Sequence, residues 1–415
     1  MHAYIQSTFS SLSVRNYRMY FWPQLVSLSG NWIRFVALAW LVLQMQDSAA
    51  LLGVIVGLQF LPTMLLAPFA GVIVDEVPKR LLISITQTIM GLGSVALACM
   101  VAFDFVSMPA IIAIILICGV ANAFDLTARQ TFVAELVEHD HMRNAVTLGA
   151  LEGNLARLIG PTIGAICLAH FSMTLCFVLD AASYVIALVG MALLRPSEFY
   201  SATAPRHQVF GQLRESITYI QENALVRTIL YMMALIGIMA CEFFVTLPLL
   251  AKITFAGTAG TYAMMTIAMG TGSILGGLLV ARKKVGSSLT VLIRYAMVLG
   301  ISLSLIAVTH WLPLVLALLF VAGAALLMLT TSANTMMMLH TAPEMRGRMN
   351  GWWVLIFMGS TPIGGPLVGW IAQVSTPGFA IAVGGFACVL SAMWARKSHP
   401  MLAQAPLVAA QKQTS

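Results

Sequence analysis

One short pattern occurs twice in this chain of 415 residues, and every residue of the second copy lies 205 positions after its counterpart. The matched residues are Arg143 and Arg348, Gly160-Pro161 and Gly365-Pro366, Gly164 and Gly369, and Gly71 and Gly276. Each copy lies in a long apolar stretch. The repeat therefore predicts a membrane protein made of two similar halves, an arrangement common among secondary transporters.

The composition agrees with a chain that crosses a membrane many times. Hydrophobic residues make up 60% of the chain, charged residues 9%, and the mean hydropathy is +0.91. One span needs roughly 20 mainly apolar residues. The sequence predicts an all-α polytopic membrane protein with twelve transmembrane helices in two pseudo-symmetric six-helix halves. The predicted spans are 19–45, 50–74, 81–103, 108–127, 145–170, 173–194, 228–251, 258–281, 289–309, 312–338, 350–374 and 378–395.

The positive charges predict the orientation of these spans. With both termini in the cytoplasm, 19 of the 22 Lys and Arg residues fall on the cytoplasmic side, as the positive-inside rule requires, with Arg294 counted there because it lies near the cytoplasmic end of the span 289–309. Lys252 falls outside, and Arg34 and Arg157 fall within spans. The net charge of +7 is explained by this sidedness, so we expect no nucleic-acid partner.

The longest polar stretch divides the two halves. We predict an N-terminal six-helix half over 1–194, a cytoplasmic linker over 195–226, a C-terminal half over 227–396 and a cytoplasmic tail over 397–415. Within the linker, apolar residues of 209–220 recur on one helical face with charges opposite. This periodicity predicts an amphipathic helix on the membrane surface.

No motif for direct catalysis or metal binding stands out. The six cysteines are scattered singly, and no phosphate-binding glycine loop precedes a Lys-Ser or Lys-Thr pair. The cluster His139-Asp140-His141 is interpreted as a solvated turn. We therefore expect no cofactor, no metal and no enzymatic activity, although an intramembrane enzyme stays open as an alternative of a different class.

The segment between the second and third predicted spans resembles the signature of the major facilitator superfamily, Gly-x-x-x-Asp-Arg-x-Gly-Arg-Arg. Here it runs from Gly71 to Arg80, with the glycine, Asp75 and the basic pair Lys79-Arg80 in place and with Glu76 and Pro78 departing from it. Further segments resemble the branch of drug and siderophore exporters that includes the enterobactin exporter and the macrolide efflux proteins. They are Arg15-Asn16-Tyr17-Arg18, Gly30-Asn31-Trp32, Trp40-Leu41-Val42-Leu43 with Ser48, Leu61-Pro62, Asn154 to Pro161, and Gly347-Arg348.

The resemblance implies an alternating-access transporter with a central cavity between its halves. It implies a cytoplasmic gate formed by Gly71, Asp75, Lys79, Arg80, Asp125, Arg129, Arg143 and Arg348. Asp75 could pair with a nearby basic residue when that side closes, although the loop is also compatible with a plain solvated turn. The Gly-Pro segment of the fifth span resembles a motif associated with exporters.

The duplicated Gly-Pro segments are predicted to act as hinges. Proline removes a helix donor and glycine permits close packing, so either segment can bend. The residues concerned are Gly160, Pro161 and Gly164 in the fifth span and Gly365, Pro366 and Gly369 in the eleventh. Because the motif is shared by both halves, a structural hinge is favoured over a contact with substrate.

Ionisable side chains inside the spans are the candidates for coupling and substrate recognition, because burying a charge in a bilayer is costly. They are Glu152, Arg157, Arg34, Asp180 and Glu242. A buried carboxylate can exchange a proton between states, and Glu152 is the first candidate for that role. The arginines could neutralise the carboxylates or attract an anionic substrate, and each of the five could also serve packing alone.

Together these observations predict a monomeric secondary transporter of the bacterial inner membrane. It would export an amphiphilic small molecule, such as a drug or siderophore, in exchange for protons. A lipid or lysolipid translocator of the same fold is the leading alternative.

Overall fold

The computed structural model describes residues 10–200, 209–282 and 288–398, and these residues are helical almost throughout. The α-helices are α1 Arg15–Met45, α2 Ala49–Glu76, α3 Lys79–Ala102, α4 Met108–Leu136, α5 His139–His170, α6 Met173–Ala192, α7 Val209–Glu222, α8 Ala224–Ala240, α9 Phe243–Leu249, α10 Ala259–Arg282, α11 Leu289–Val308, α12 Leu312–Leu339, α13 Arg346–Met358, α14 Thr361–Val374 and α15 Pro377–Ser398. The prediction of an all-α polytopic membrane protein is confirmed.

Eleven segments of the described residues are long and apolar enough to cross a membrane. α5 is as long as these segments but is not among them, although it covers the predicted span 145–170. Its sequence carries Asp140, Arg143, Glu152 and Arg157, which lower its hydropathy. The predicted span that is absent from this set is thus also the one that carries two of the five charged candidates, Glu152 and Arg157.

The segments that align with predicted spans seven and eleven are each interrupted. The seventh is split into α8 and α9 at Cys241 and Glu242, and a π-helical turn, Leu250–Thr254, follows α9. Pro248 lies in α9 and has no N–H to donate, which favours the irregular turn after it. The eleventh is split into α13 and α14 at Gly359 and Ser360. The sequence analysis predicted the two spans but neither interruption.

Packing divides the chain into two compact units. Unit 1 comprises Met1–Val42 and Leu58–Arg206, and unit 2 comprises Leu43–Gly57 and His207–Ser415. The division therefore falls inside α1 and α2, and the predicted domain limits remain predictions. α7 occupies the predicted amphipathic segment, and its position on a membrane surface is likewise still a prediction.

An aromatic cluster joins the ends of several helices in unit 1. Tyr20 on α1 meets the Phe132 ring on α4 edge to face, with 5.7 Å between ring centroids. The Tyr17 hydroxyl donates to the carbonyl of Ala145 on α5 at 2.9 Å. Both tyrosines are buried in one hydrophobic core with Leu136. This cluster fixes α1 against α4 and α5, the helices that carry the charged residues described below.

Glycines bring the helices of unit 2 close together. Gly272 on α10 lies directly against the carbonyl of Phe320 on α12, where a Cβ atom would clash. Ser273 Oγ donates to the Gly323 carbonyl of α12 at 3.1 Å. Gly385 on α15 similarly approaches the carbonyl of Gly300 on α11, with 2.7 Å from an ideal Cβ to the oxygen. Such small-residue packing is typical of membrane helices, which lack a hydrophobic driving force between them.

The segment Leu43–Gly57 is held within unit 2 by polar contacts at its start. Lys252 Nζ donates to the Leu43 carbonyl at 2.7 Å and pairs with Asp47 at 2.5 Å. Gln373 Oε1 accepts from the backbone N–H of Ala49 at 2.7 Å and so caps the first turn of α2.

Candidate functional site

A buried ion pair joins α1 and α6 inside unit 1. Arg34 Nε lies 3.1 Å from Asp180 Oδ2, and the exposed fractions of the two residues are 5% and 0%. Ser94 on α3 donates its hydroxyl to the same Asp180 oxygen at 2.5 Å, and Arg34 Nη2 donates to Asn31 Oδ1 at 2.6 Å. Because each charge has an opposite partner and a hydrogen bond, the pair can stay ionised in a dry interior.

The approach of α1 to α6 depends on a glycine. An ideal Cβ at Gly30 would clash with the Ser183 hydroxyl and would lie 3.0 Å from Asp180 Oδ1. Only a residue without a side chain fits at this point of α1. The Gly30-Asn31-Trp32 segment therefore has a packing role next to the ion pair as well as supplying Asn31.

A second buried network lies between α1, α3 and α4. Arg129 Nη2 pairs with Asp125 Oδ2 at 2.6 Å, and the Thr86 hydroxyl donates to Asp125 Oδ1 at 3.0 Å. Gln24 Oε1 accepts from Arg129 at 3.3 Å and from Gln87 at 3.0 Å. Asp125 is fully buried. These two predicted gate residues thus form part of a hydrogen-bonded network in the interior of unit 1.

Glu152 on α5 borders this second network. It is 7% exposed, and within the described structure its Oε1 has no hydrogen-bond partner. Arg129 and Tyr17 are close enough to interact with its charge. Arg129 therefore has two carboxylates near it. Asp125 forms an ion pair with it directly, and Glu152 Oε1 makes no hydrogen bond within the described structure.

Arg157, one and a half turns after Glu152 on α5, contacts a different neighbour. Its guanidinium lies over the Trp32 ring of α1, 5.4 Å from the ring centroid. A cation over an indole ring is a favourable arrangement in a dry environment. The structure therefore joins Arg157 to α1.

Glu242 is the candidate carboxylate of unit 2, and it sits in the break between α8 and α9. It is 3% exposed. The Thr361 hydroxyl at the start of α14 is within hydrogen-bonding reach, and Glu242 Oε1 has no partner in the part of the chain that the structure describes. An ideal Cβ at Gly364 would come within 2.7 Å of that oxygen. Its surroundings thus differ from those of the carboxylates in unit 1.

The remaining predicted gate residues lie near helix ends. Lys79 Nζ pairs with Glu135 Oε1 at 2.7 Å, and Arg80 donates to the carbonyls of Met191 and Ala192 at 2.9 and 3.2 Å. The side chains of Asp75 and Arg143 lie outside the described residues, and Gly71 has no heavy atom within 4 Å of an ideal Cβ. In unit 2, Arg348 pairs with Glu215 of α7 at 2.5 Å.

The predicted hinge glycines make close helix contacts. In unit 1, an ideal Cβ at Gly160 would lie 2.5 Å from the Ser29 carbonyl, and one at Gly164 would lie 3.1 Å from Ile33 Cα, both on α1. In unit 2, Gly365 and Gly369 face the start of α2. Pro161 and Pro366 lie within the continuous helices α5 and α14. The hinge role of these residues remains a prediction.

Sequence reasoning missed the partners of the charged residues. The missed residues are Glu135, Gln24, Thr86, Gln87, Ser94 and Thr361. The available signal was the presence of glutamine, serine and threonine inside apolar spans, where a polar side chain needs a partner. Which helices would bring the partners together could not be read from one sequence.

Comparison with known proteins agrees with this architecture. The chain matches the family described as transmembrane secretion effector over residues 6–411. It is 27% identical to the staphyloferrin A transporter of Staphylococcus aureus over 59% of this chain and 62% of that protein, so this match spans less than two thirds of the relative. It is 23% identical to the multidrug efflux pump Tap of Mycolicibacterium fortuitum, over 84% and 87% of the two chains.

Two further similarities extend this picture. The enterobactin exporter EntS of Salmonella typhi is 25% identical over 77% of each chain. The crystal structure of the nucleoside transporter NupG superimposes with a TM-score of 0.69 at 13% identity, over 92% of this chain and 99% of that one, which bears on the fold alone. The family and the fold are those of transporters, and the expected resemblance to drug and siderophore exporters is confirmed. The chain is a multi-pass membrane protein that belongs to the transmembrane secretion effector family of the major facilitator superfamily.

Proposed function

We propose that this protein is a secondary active transporter that exports an amphiphilic small molecule across the bacterial inner membrane in exchange for protons. The cargo class is drug-like or siderophore-like, as in the names of the efflux pump and the exporter that the chain resembles. The proposal includes both termini in the cytoplasm, alternating access, and a monomer as the working unit. The asymmetric positive charge of the sequence supports this orientation.

The observation that carries proton coupling is the position of Glu152. It is a buried carboxylate with one oxygen that has no hydrogen bond among the described residues, beside an arginine that already pairs with Asp125. Protonation of Glu152 removes its negative charge, so Arg129 is then attracted by Asp125 only. Loss of the proton restores a second attraction on Arg129, so the arrangement of this network depends on proton binding. Ion interactions that differ between two states bias the equilibrium between them.

Asp180 and Glu242 are the second and third candidates for proton exchange. Asp180 is already compensated by Arg34 and hydrogen-bonded by Ser94, which favours a constant charge. Arg34 and Arg157 are candidates for neutralising a carboxylate or an anionic group on the cargo.

The test uses purified protein in proteoliposomes with an imposed pH gradient. Ethidium and a catecholate siderophore serve as probes of the two cargo classes. Glu152→Gln should abolish uptake driven by the pH gradient while the protein remains folded, as judged by gel filtration and thermal unfolding. Glu222→Gln changes an exposed glutamate of α7 in the same way and should leave transport intact.

Full pH-driven transport by Glu152→Gln would overturn the assignment of this residue. Cargo movement in wild type that ignores the gradient would overturn proton coupling and leave transport itself in place. Movement of a fluorescent lysolipid with neither probe transported would favour a lipid translocator.

A further inference from the structure

The break in the seventh span leaves backbone carbonyls without helical partners. The last four carbonyls of any α-helix lack intrahelical donors, and those of α8 include Ile238 and Met239. Among the described residues, neither carbonyl accepts a backbone hydrogen bond from a turn, a loop or another helix. The end of a helix also carries partial negative charge. The break therefore presents buried backbone carbonyl oxygens, and the positive N-terminal end of the short α9 begins beside them.

A carboxylate adds a full charge to this region. Glu242 follows the end of α8 by two residues, and its Oε1 and the Ile238 carbonyl oxygen both face the bare Cα of Gly364 on α14. The Thr361 hydroxyl reaches the same carboxylate from the first turn of α14. Glu242 Oε1 and the Ile238 carbonyl oxygen thus lie together against Gly364, and the Thr361 hydroxyl interacts with the same carboxyl group.

No lysine or arginine side chain pairs with these oxygens within the described residues. Asp125 has Arg129 and Asp180 has Arg34, whereas no Lys or Arg forms an ion pair with Glu242 in the described ranges. A buried carboxylate without compensation is too costly to remain as it is, so it must gain a proton or a cation.

We propose that the break in the seventh span binds a sodium ion, with Glu242 as the charged ligand and the Ile238 carbonyl and Thr361 hydroxyl as neutral ligands. Oxygen ligands select hard cations, and a single carboxylate matches a single positive charge. Carbonyls at the end of an interrupted membrane helix are a known means of holding sodium or protons in transporters. The site requires Gly364, because a side chain there would meet both oxygens.

The experiment measures ion binding directly, without cargo or gradient. Purified full-length protein is equilibrated with radioactive ²²Na⁺ at pH 7.5, and thermal unfolding is followed in NaCl, KCl and choline chloride of equal concentration. Wild type should bind ²²Na⁺ saturably, and its midpoint should rise with NaCl beyond the other salts, because a ligand that binds only the folded state stabilises it.

The variants separate this site from the rest of the protein. Glu242→Gln should lose saturable binding and the sodium-dependent rise, and Thr361→Val should weaken binding at least about tenfold, because loss of a ligand costs at least as much as loss of a group that only orients one. Gly364→Ala should abolish binding by filling the space beside Oε1. Gly351→Ala is the matched control, because an ideal Cβ at Gly351 meets no atom within 4 Å.

Several outcomes would overturn the proposal. They are equal midpoints in the three salts, wild-type ²²Na⁺ binding by folded Glu242→Gln, and stabilisation by acid in place of sodium, which would make Glu242 a proton site. If Glu242→Gln does not fold, the pair Gly364→Ala and Gly351→Ala decides. Glu152→Gln should bind sodium normally, so failure of proton-driven export and failure of this site are distinguishable.

Discussion

Buried charge is organised differently in the two units. In unit 1, Asp180 and Asp125 each pair with an arginine and accept a side-chain hydroxyl, from Ser94 and Thr86. In unit 2, Glu242 has a hydroxyl within reach and no arginine or lysine paired with it among the described residues. The difference teaches that a repeat can share its helices without sharing its charges, because among the described residues the buried Arg–Asp pairs lie in unit 1.

The largest expected effect on stability comes from removing one carboxyl charge from each unit and comparing the two losses. Asp180→Asn leaves Arg34 buried without its counter-charge, a change that costs about 3–5 kcal/mol in proteins. Glu242→Gln leaves no cation behind, so in sodium-free buffer it should have little effect on stability. Thermal unfolding of the two variants in choline chloride measures the contrast. Equal losses in both would show that the Arg34 pair does not stabilise unit 1.

The two copies of the Gly-Pro motif differ as well. In α5, Gly160 and Gly164 both face α1. In α14, Gly365 and Gly369 face Gly53 near the start of α2, and the preceding residue, Gly364, faces the Ile238 carbonyl of α8. The second copy therefore packs on two faces, and the same short motif serves different neighbours in the two units.

A smaller effect on stability is expected from adding a methyl group to glycines of α5. Gly160→Ala places a methyl group 2.5 Å from both the Ser29 carbonyl and Trp32 Cβ, so we expect a loss of about 1–3 kcal/mol from overpacking. Gly153→Ala, on the same helix with nothing within 4 Å, should instead stabilise by about 0.5–1 kcal/mol, because alanine favours helices. Unfolding midpoints in detergent measure both changes. A stabilising Gly160→Ala would contradict the close approach of α5 to α1.

The smallest effect concerns two tyrosines outside the spans. The Tyr200 hydroxyl donates to Glu138 Oε1 at 3.0 Å in unit 1, whereas the Tyr219 hydroxyl accepts from the Ala342 N–H at 3.0 Å in unit 2. The hydrogen bond to Glu138, followed by partial burial, raises the pKa of Tyr200. Its stabilising effect is present below the usual tyrosine pKa of about 10 and is lost as the pH rises through the raised value.

Tyr200→Phe should therefore lower the unfolding midpoint slightly near pH 8, and the difference from wild type should vanish in strong alkali. A pH series of thermal unfolding checks this. The effect of Tyr200→Phe should also disappear in a Glu138→Gln background. A difference that persists in that background would assign it to packing of the ring instead.

The all-α membrane fold and most of the spans could be predicted, because the length of the apolar stretches and the 205-residue repeat can be read directly from the sequence. The interruptions at Glu242 and Gly359 were not, because a helix break depends on neighbours that satisfy the freed backbone groups. The five intramembrane charges were found for the same reason as the spans, since any charge stands out there. Their partners, such as Ser94 for Asp180, lie on other helices and needed the fold.

Two glycines next to Glu152 have a consequence for the mobility of α5. Gly149 and Gly153 flank it by three residues and one residue, and neither has a described atom of another part of the chain within 4 Å of an ideal Cβ. Glycine inside a helix lowers the free energy of unfolding by about 0.5–1 kcal/mol relative to alanine, and no close contact at these two glycines offsets that loss. The backbone around Glu152 is therefore more deformable than the crowded turn at Gly160, so α5 can change its pitch beside this buried carboxylate while its other end stays fixed against α1.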